Sequence, residues 1–142
     1  EIDEFDRAER RLLNFGHTFG HALEAASGFG VKHGVAVGFG ILAALSFVES
    51  ERSLSNAEER LRAYVTGTLK PVQGPGGLHG RIDWAMFEQA FAGDKKHRAN
   101  CFTIVVPSSG PLGAEIRELE PTSASMALVS RAMQHALEGM EP

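Results

Sequence analysis

The segment at residues 35–48 is apolar on nearly every side, and this restricts the folds that the 142-residue chain can adopt. A helix of this composition belongs at the centre of a domain, where other elements cover all of its faces. Gly38 and Gly40 interrupt the segment, and each costs roughly 1 kcal/mol of helix propensity relative to alanine. We therefore expect these glycines to permit close helix packing or to form a tight wall beside a ligand. The segment is too short to span a bilayer.

Two histidines four residues apart, His17 and His21, lie before this segment. The alanine-rich sequence after them favours a helix to about residue 26, on which residues four apart share one face. Two imidazoles at this spacing suit a metal ion or an anionic substrate, but such pairs also occur as capping or packing residues. The residue after His17 is Thr18, not the glutamate of the short metalloprotease signature, so a protease is a poor match.

A glycine-rich turn separates the two helical segments. The sequence Ser-Gly-Phe-Gly at residues 27–30 predicts the end of the first helix, and His33 opens the second. We expect this corner to fold His33 back onto the face that carries His17 and His21. The three imidazoles would then line one shared cavity.

Capping signals mark two further helices. Ser55 and Glu58 form a predicted capping box, which begins a helix that continues to about residue 65. Asp83 is the predicted N-cap of a helix at residues 84–92. The apolar residues expected to face inward on this second helix are Met86, Phe87, Ala90 and Phe91.

The last third of the chain predicts a hairpin and a final helix. Residues 101–106 form the clearest strand because β-branched and aromatic residues dominate them, and residues 114–119 are the expected partner strand. Thr122 or Ser123 caps a helix that extends to about residue 139. The residues expected to face inward on it are Ala127, Met133 and Leu137. The predicted fold class is therefore mostly α, a multi-helical domain with a minor β-hairpin.

Composition narrows the classes of partner. The net charge of −4 gives no support for a nucleic-acid or anionic-membrane partner. Cys101 is the single cysteine, which excludes an internal disulfide framework and fits a reducing compartment, so we expect a cytoplasmic protein. The first residue is a glutamate, not a methionine, which suggests a processed product or an excised domain.

A longer pattern around the histidines resembles the 3-dehydroquinate synthase family and, more broadly, the sugar-phosphate cyclase superfamily. The family pattern is an arginine, three residues, and then Asn-x-Gly-His-x-x-Gly-His-Ala-hydrophobic-Glu, with a His-Gly pair further on. The matching positions are Arg10, Asn14, Gly16, His17, Gly20, His21, Glu24, His33 and Gly34. A second landmark of the family, Asp-Lys-Lys before a strand, is matched at residues 94–96. The resemblance covers essentially the whole chain.

The resemblance implies a catalytic zinc, or another divalent cation, bound by two histidines and one glutamate. The histidines of that set correspond to His17 and His33, and the glutamate lies upstream of residue 1 in the family pattern. His21 corresponds to a catalytic histidine that contacts the substrate and helps to move protons. The other implied substrate-binding residues are Arg10, Asn14 and one lysine of the pair Lys95 and Lys96.

The resemblance also implies a reaction in the shikimate pathway of aromatic amino-acid biosynthesis. The family converts a heptulosonate phosphate to dehydroquinate by transient oxidation with NAD, elimination of phosphate and closure of a carbocycle. NAD binds a preceding domain in the family, so residues 1–142 correspond to the C-terminal helical metal- and substrate-binding domain. We expect this fragment alone to be inactive and to bind zinc weakly, and the resemblance implies a homodimer.

One departure from the family pattern leaves the substrate open. Family members usually have His-Gly-Glu, whereas Val35 follows His33 and Gly34 in this chain. Because this charge is missing, two other functions are considered. One is a different sugar-phosphate cyclase, such as a 2-deoxy-scyllo-inosose synthase-like enzyme. The other is a non-catalytic helical domain in which the histidines only pack or cap.

Overall fold

The computed structural model describes residues 15–72, 81–94, 97, 100–108 and 113–139. Within these ranges lie the helices α1 (His17–Ala26), α2 (His33–Glu49), α3 (Asn56–Leu69), α4 (Trp84–Ala92) and α5 (Ser123–Glu138). The strands β1 (Phe102–Pro107) and β2 (Ala114–Leu119) form a two-stranded antiparallel sheet, and a 3₁₀ turn, Lys70–Val72, follows α3. The predicted mostly-α fold with a minor hairpin is confirmed.

Helix α2 is the centre of the domain. Helices α1, α3 and α5 and strand β1 all pack against it, and its Phe39 and Leu45 have no exposed surface. Burial of a side chain of this size stabilises the fold by about 1.5–3 kcal/mol. Because α2 begins with His33, this packing also fixes that histidine relative to α1. No helix in the described ranges combines the length and apolarity that crossing a membrane requires.

Two residues predicted to face inward lie on the surface instead. Met86 is 41% exposed, because the buried face of α4 passes through Phe87 and Phe91 and Met86 points about 120° away from that face. Ala127 is exposed on α5 for the same reason, since the buried face of that helix passes through Met133. Both errors concern which face of a correctly predicted helix meets the core.

The ends of the elements follow the predicted signals. Asp83 accepts a hydrogen bond from the Met86 N–H at the start of α4, and Thr122 accepts one from the Ser125 N–H at the start of α5. Strand β1 is buried along its whole length, and it begins and ends one residue later than predicted.

The capping box of α3 predicts a pH-dependent contribution to stability. The Glu58 N–H donates to the Ser55 hydroxyl, and the Ser55 N–H donates back to the Glu58 carboxylate. Arg52 donates two further hydrogen bonds to that carboxylate, at 2.8 and 2.9 Å. These contacts, led by the Arg52 hydrogen bonds, lower the pKa of Glu58 to about 2. Because the folded-state pKa is lowered, the stabilisation is complete above the ordinary glutamate pKa of 4.5 and is lost as the pH falls towards 2.

We expect Glu58→Gln to lower the free energy of unfolding by about 1–2 kcal/mol at neutral pH, because Arg52 loses its charged partner while the Ser55 cap is retained. The variant should also lose less stability than the wild type between neutral pH and acid. Urea denaturation at several pH values measures both effects. The exposed neighbour Glu59, changed to Gln, is the control. An unchanged midpoint in Glu58→Gln would contradict the prediction.

Candidate metal and substrate site

Close contact between α1 and α2 positions the candidate site. A Cβ atom added to Gly40 would lie 1.9 Å from the carbonyl oxygen of Gly16, and one added to Gly20 would lie 2.9 Å from that of Ala36. Glycine is therefore required where the two backbones meet, as predicted for Gly40. Gly16 is also the N-cap of α1 with a φ of 82°, a conformation that glycine adopts without steric cost.

The three histidines of the predicted motif meet at this contact. Their ring centroids are separated by 5.8 Å between His17 and His21, 5.6 Å between His17 and His33, and 5.7 Å between His21 and His33. The turn at residues 27–30 ends α1, and α2 begins with His33 three residues later. The predicted corner that gathers three imidazoles is confirmed. All three rings remain at least partly exposed.

Glu24 joins this cluster from the same face of α1. Its Oε1 lies 2.7 Å from Nδ1 of His33, and its side chain is 17% exposed, compared with 57% for His33. A carboxylate can only accept, so the Nδ1–H of His33 donates this hydrogen bond. The bond fixes the tautomer of His33 and directs its Nε2 to a metal ion or a substrate.

Two sets of ligands are available to a divalent cation. The family resemblance implies His17 and His33, whereas ligand atoms of His21, Glu24 and His33 lie within 4.8 Å of one another. The 2.7 Å between Glu24 and His33 is shorter than the about 3.4 Å that separates two ligand atoms of a tetrahedral zinc ion. This distance favours Glu24 as the hydrogen-bond partner of a ligating His33. Two imidazoles, one held by a carboxylate, fit a zinc ion as part of its ligand set.

Asp94 approaches the cluster from the end of α4. Its side chain is 6% exposed, and its Oδ2 lies 3.7 Å from Nδ1 of His21. The distance is too long for a direct hydrogen bond, but it places a buried carboxylate beside the partly exposed imidazole. In the sequence, Asp94 is marked only as part of the Asp-Lys-Lys landmark, and Glu24 only as a match to the family pattern. Glu24 is three residues from His21, and that spacing could have placed it on the histidine face.

Four predicted site residues lie outside the described parts of the chain. They are Arg10, Asn14, Lys95 and Lys96, and their predicted roles stay predictions. Val35, which occupies the position of the usual family glutamate, lines a cavity of about 370 Å³ at the N-terminal end of α2. The charged residues Lys32 and Arg81 line the same cavity.

We expect Glu24→Gln to weaken divalent-metal binding by about 10- to 100-fold. Glutamine keeps the size of the side chain but removes the negative charge of the group that accepts the hydrogen bond from the His33 Nδ1–H. Titration of the metal-free complete enzyme with zinc or cobalt measures the change, and Glu120→Gln, an exposed position outside the helices, is the control. Equal affinities of Glu24→Gln and the wild type would show that Glu24 does not orient His33.

Comparisons with known proteins show similarity over a longer part of the chain than the histidine motif. Residues 1–97 match the family model described as 3-dehydroquinate synthase C-terminal. A protein named "Putative aminodehydroquinate synthase" from Amycolatopsis mediterranei is 31% identical over 140 residues, which are 97% of this chain and 38% of that protein. The 3-dehydroquinate synthase of Pseudoalteromonas atlantica is 34% identical over 85% of this chain and 34% of that protein. The Streptococcus pneumoniae 3-dehydroquinate synthase is 38% identical over 80% of this chain and 31% of that protein.

The chain spans about a third of the length of these relatives. The family match covers more than half of the chain, and it includes the histidine cluster, Glu24 and Asp94. This chain belongs to the 3-dehydroquinate synthase C-terminal family.

Proposed function

We propose that this chain is the metal- and substrate-binding part of a 3-dehydroquinate synthase-like enzyme, a lyase that eliminates phosphate from a heptulosonate phosphate and forms a carbocycle. The family match supports this proposal. The observation that carries it is the meeting of His17, His21 and His33, with ring centroids 5.6–5.8 Å apart. Histidines that only packed or capped would have no reason to meet, whereas these three rings meet beside the Glu24 carboxylate.

In the proposed site, His17 and His33 bind zinc or another divalent cation, and Glu24 orients His33. A cation bound there supplies Lewis-acid polarisation of the hydroxyl group that is oxidised. The third protein ligand of that cation and the residues that bind NAD are proposed to lie outside this chain.

His21 is the proposed catalytic residue of this chain. It contacts the substrate and exchanges a proton with it, and the Asp94 carboxylate stabilises the imidazolium form during that exchange. Arg10, Asn14 and one of Lys95 and Lys96 are proposed to bind the anionic groups of the substrate, and this positioning supplies part of the rate. We also propose that the enzyme is a cytoplasmic homodimer, and this part of the proposal rests on the family resemblance alone.

The test is an assay of the complete enzyme with the heptulosonate phosphate, NAD and zinc, in which phosphate release and dehydroquinate formation are both followed. Stoichiometric formation of both products is expected. The 142-residue chain alone should be inactive under the same conditions, because the NAD-binding residues are proposed to lie outside it. Absence of dehydroquinate from an enzyme loaded with zinc and NAD would refute the proposed reaction.

A second candidate is a cyclase of the same chemistry with a different substrate. Val35 stands where the family pattern usually has a glutamate, and it lines the same cavity as Lys32 and Arg81. A relative that matches 97% of the chain is named "Putative aminodehydroquinate synthase". The aminated heptulosonate analogue and the substrate of a 2-deoxy-scyllo-inosose synthase are therefore the compounds to compare. The substrate with the highest kcat/KM decides between the candidates.

A further inference from the structure

His97 uses both of its ring nitrogens to join α4 to β1. The Thr103 N–H lies 2.8 Å from Nδ1 of His97, and the carbonyl oxygen of Phe91 lies 2.6 Å from Nε2. A backbone N–H can only donate and a carbonyl can only accept, so Nδ1 accepts and Nε2–H donates. The partners thus select the neutral Nε2–H tautomer of His97.

Two aromatic rings hold the His97 ring in place. Its centroid lies 4.8 Å from that of Phe91 and 5.1 Å from that of Phe102. The Phe91 and Phe102 rings also contact each other, at 5.3 Å. Phe91 has no exposed surface, and Phe102 is 8% exposed. Hydrogen bonds in such surroundings are costly to leave unmade, so the bridge made by His97 is a fixed point of the structure.

The bridge spans the segment that carries Asp94. The Asp94 N–H donates to the carbonyl oxygen of Phe91 at 3.2 Å, and the His97 N–H donates to the carbonyl oxygen of Asp94 at 3.1 Å. The backbone of Asp94 is therefore attached on both sides to residues that His97 anchors. Its carboxylate is 6% exposed and lies 3.7 Å from His21.

We infer that His97 is a positioning residue, whose bridge between Phe91 and Thr103 holds the Asp94 carboxylate beside His21. The consequence for catalysis rests on the proposed function, but the geometry itself does not. A residue that only filled space here would be replaced well by phenylalanine, which has a similar ring and no hydrogen-bonding atoms.

Nuclear magnetic resonance of the histidine rings tests the inference without turnover. In the ¹⁵N-labelled chain we expect His97 as the neutral Nε2–H tautomer, and we expect His97→Phe to shift the ring signals of His21. His97→Gln, whose amide offers N–H donors and a carbonyl acceptor, should shift them less. His135, exposed on α5, provides the matched control: His135→Phe should leave the His21 signals in place.

Two results would overturn the inference. One is the Nδ1–H tautomer at His97, and the other is unshifted His21 signals in a folded His97→Phe variant. If His97→Phe does not fold, the wild-type tautomer and His97→Gln decide it.

The complete enzyme provides a second measurement. His97→Phe is expected to lower kcat/KM by about 10- to 100-fold at unchanged zinc content, and His97→Gln is expected to recover a large part of the loss. Full activity of His97→Phe would overturn the inference. An inactive wild-type enzyme whose His97 and His21 signals behave as expected would refute the proposed function and leave the positioning role of His97 standing.

Discussion

Replacement of His17 or His33 by alanine is expected to remove measurable zinc binding and to lower kcat/KM of the complete enzyme by about a thousandfold or more. The two imidazoles come from different helices and are the proposed metal ligands within this chain. With one of them lost, one histidine of this chain and the proposed ligand outside it remain, which is too small a ligand set to retain zinc. Metal content after dialysis and steady-state kinetics measure the two effects.

His21→Ala is the informative contrast to these variants. We expect this variant to keep its zinc and to lose about 10²- to 10⁴-fold in kcat, the usual contribution of a positioned acid–base group. His135→Ala, at an exposed position in the last turn of α5, should change neither quantity. If His21→Ala loses the metal while His17→Ala keeps it, the ligands within this chain are His21, Glu24 and His33, and the assignment by family resemblance is wrong.

The positions of the helices and strands were predictable because their signals are local. Ser55, Asp83 and Thr122 each form the capping hydrogen bond that sequence predicts, and the extreme apolarity of residues 35–48 predicts the central place of α2. The corner that brings His33 to His17 was likewise predictable, since the glycine-rich turn is only a few residues long. In each case the decisive interaction joins residues close in sequence.

The partners of the histidines depend on contacts between separate elements, and sequence does not reveal those. Asp94 reaches His21 only because α4 packs on α1. His97 follows two lysines in the sequence, and nothing local indicates that its ring lies against Phe91 and Phe102. Met86 illustrates the same limit, since the direction of α4 relative to the core decides which of its apolar residues are buried.

Gly40→Ala is expected to destabilise the fold by at least about 3 kcal/mol. The new methyl group would sit 1.9 Å from the carbonyl oxygen of Gly16, and this neighbour is backbone, which cannot rotate away. Relief requires α1 to move away from α2, and that movement also separates His17 from His33. We therefore expect metal binding to fall together with the free energy of unfolding.

Two other glycines of α2 provide graded controls for Gly40→Ala. Nothing lies within 4 Å of a Cβ at Gly34, so alanine there should be neutral or stabilise by up to about 1 kcal/mol through helix propensity. A Cβ at Gly38 would approach the Leu69 side chain at 2.9 Å, and because that side chain can change rotamer, we expect an intermediate loss of about 1–2 kcal/mol. Urea denaturation and zinc titration of the three variants establish the order. Equal midpoints would mean that α1 and α2 do not meet through Gly16 and Gly40, and the shared position of the three imidazoles would then need another cause.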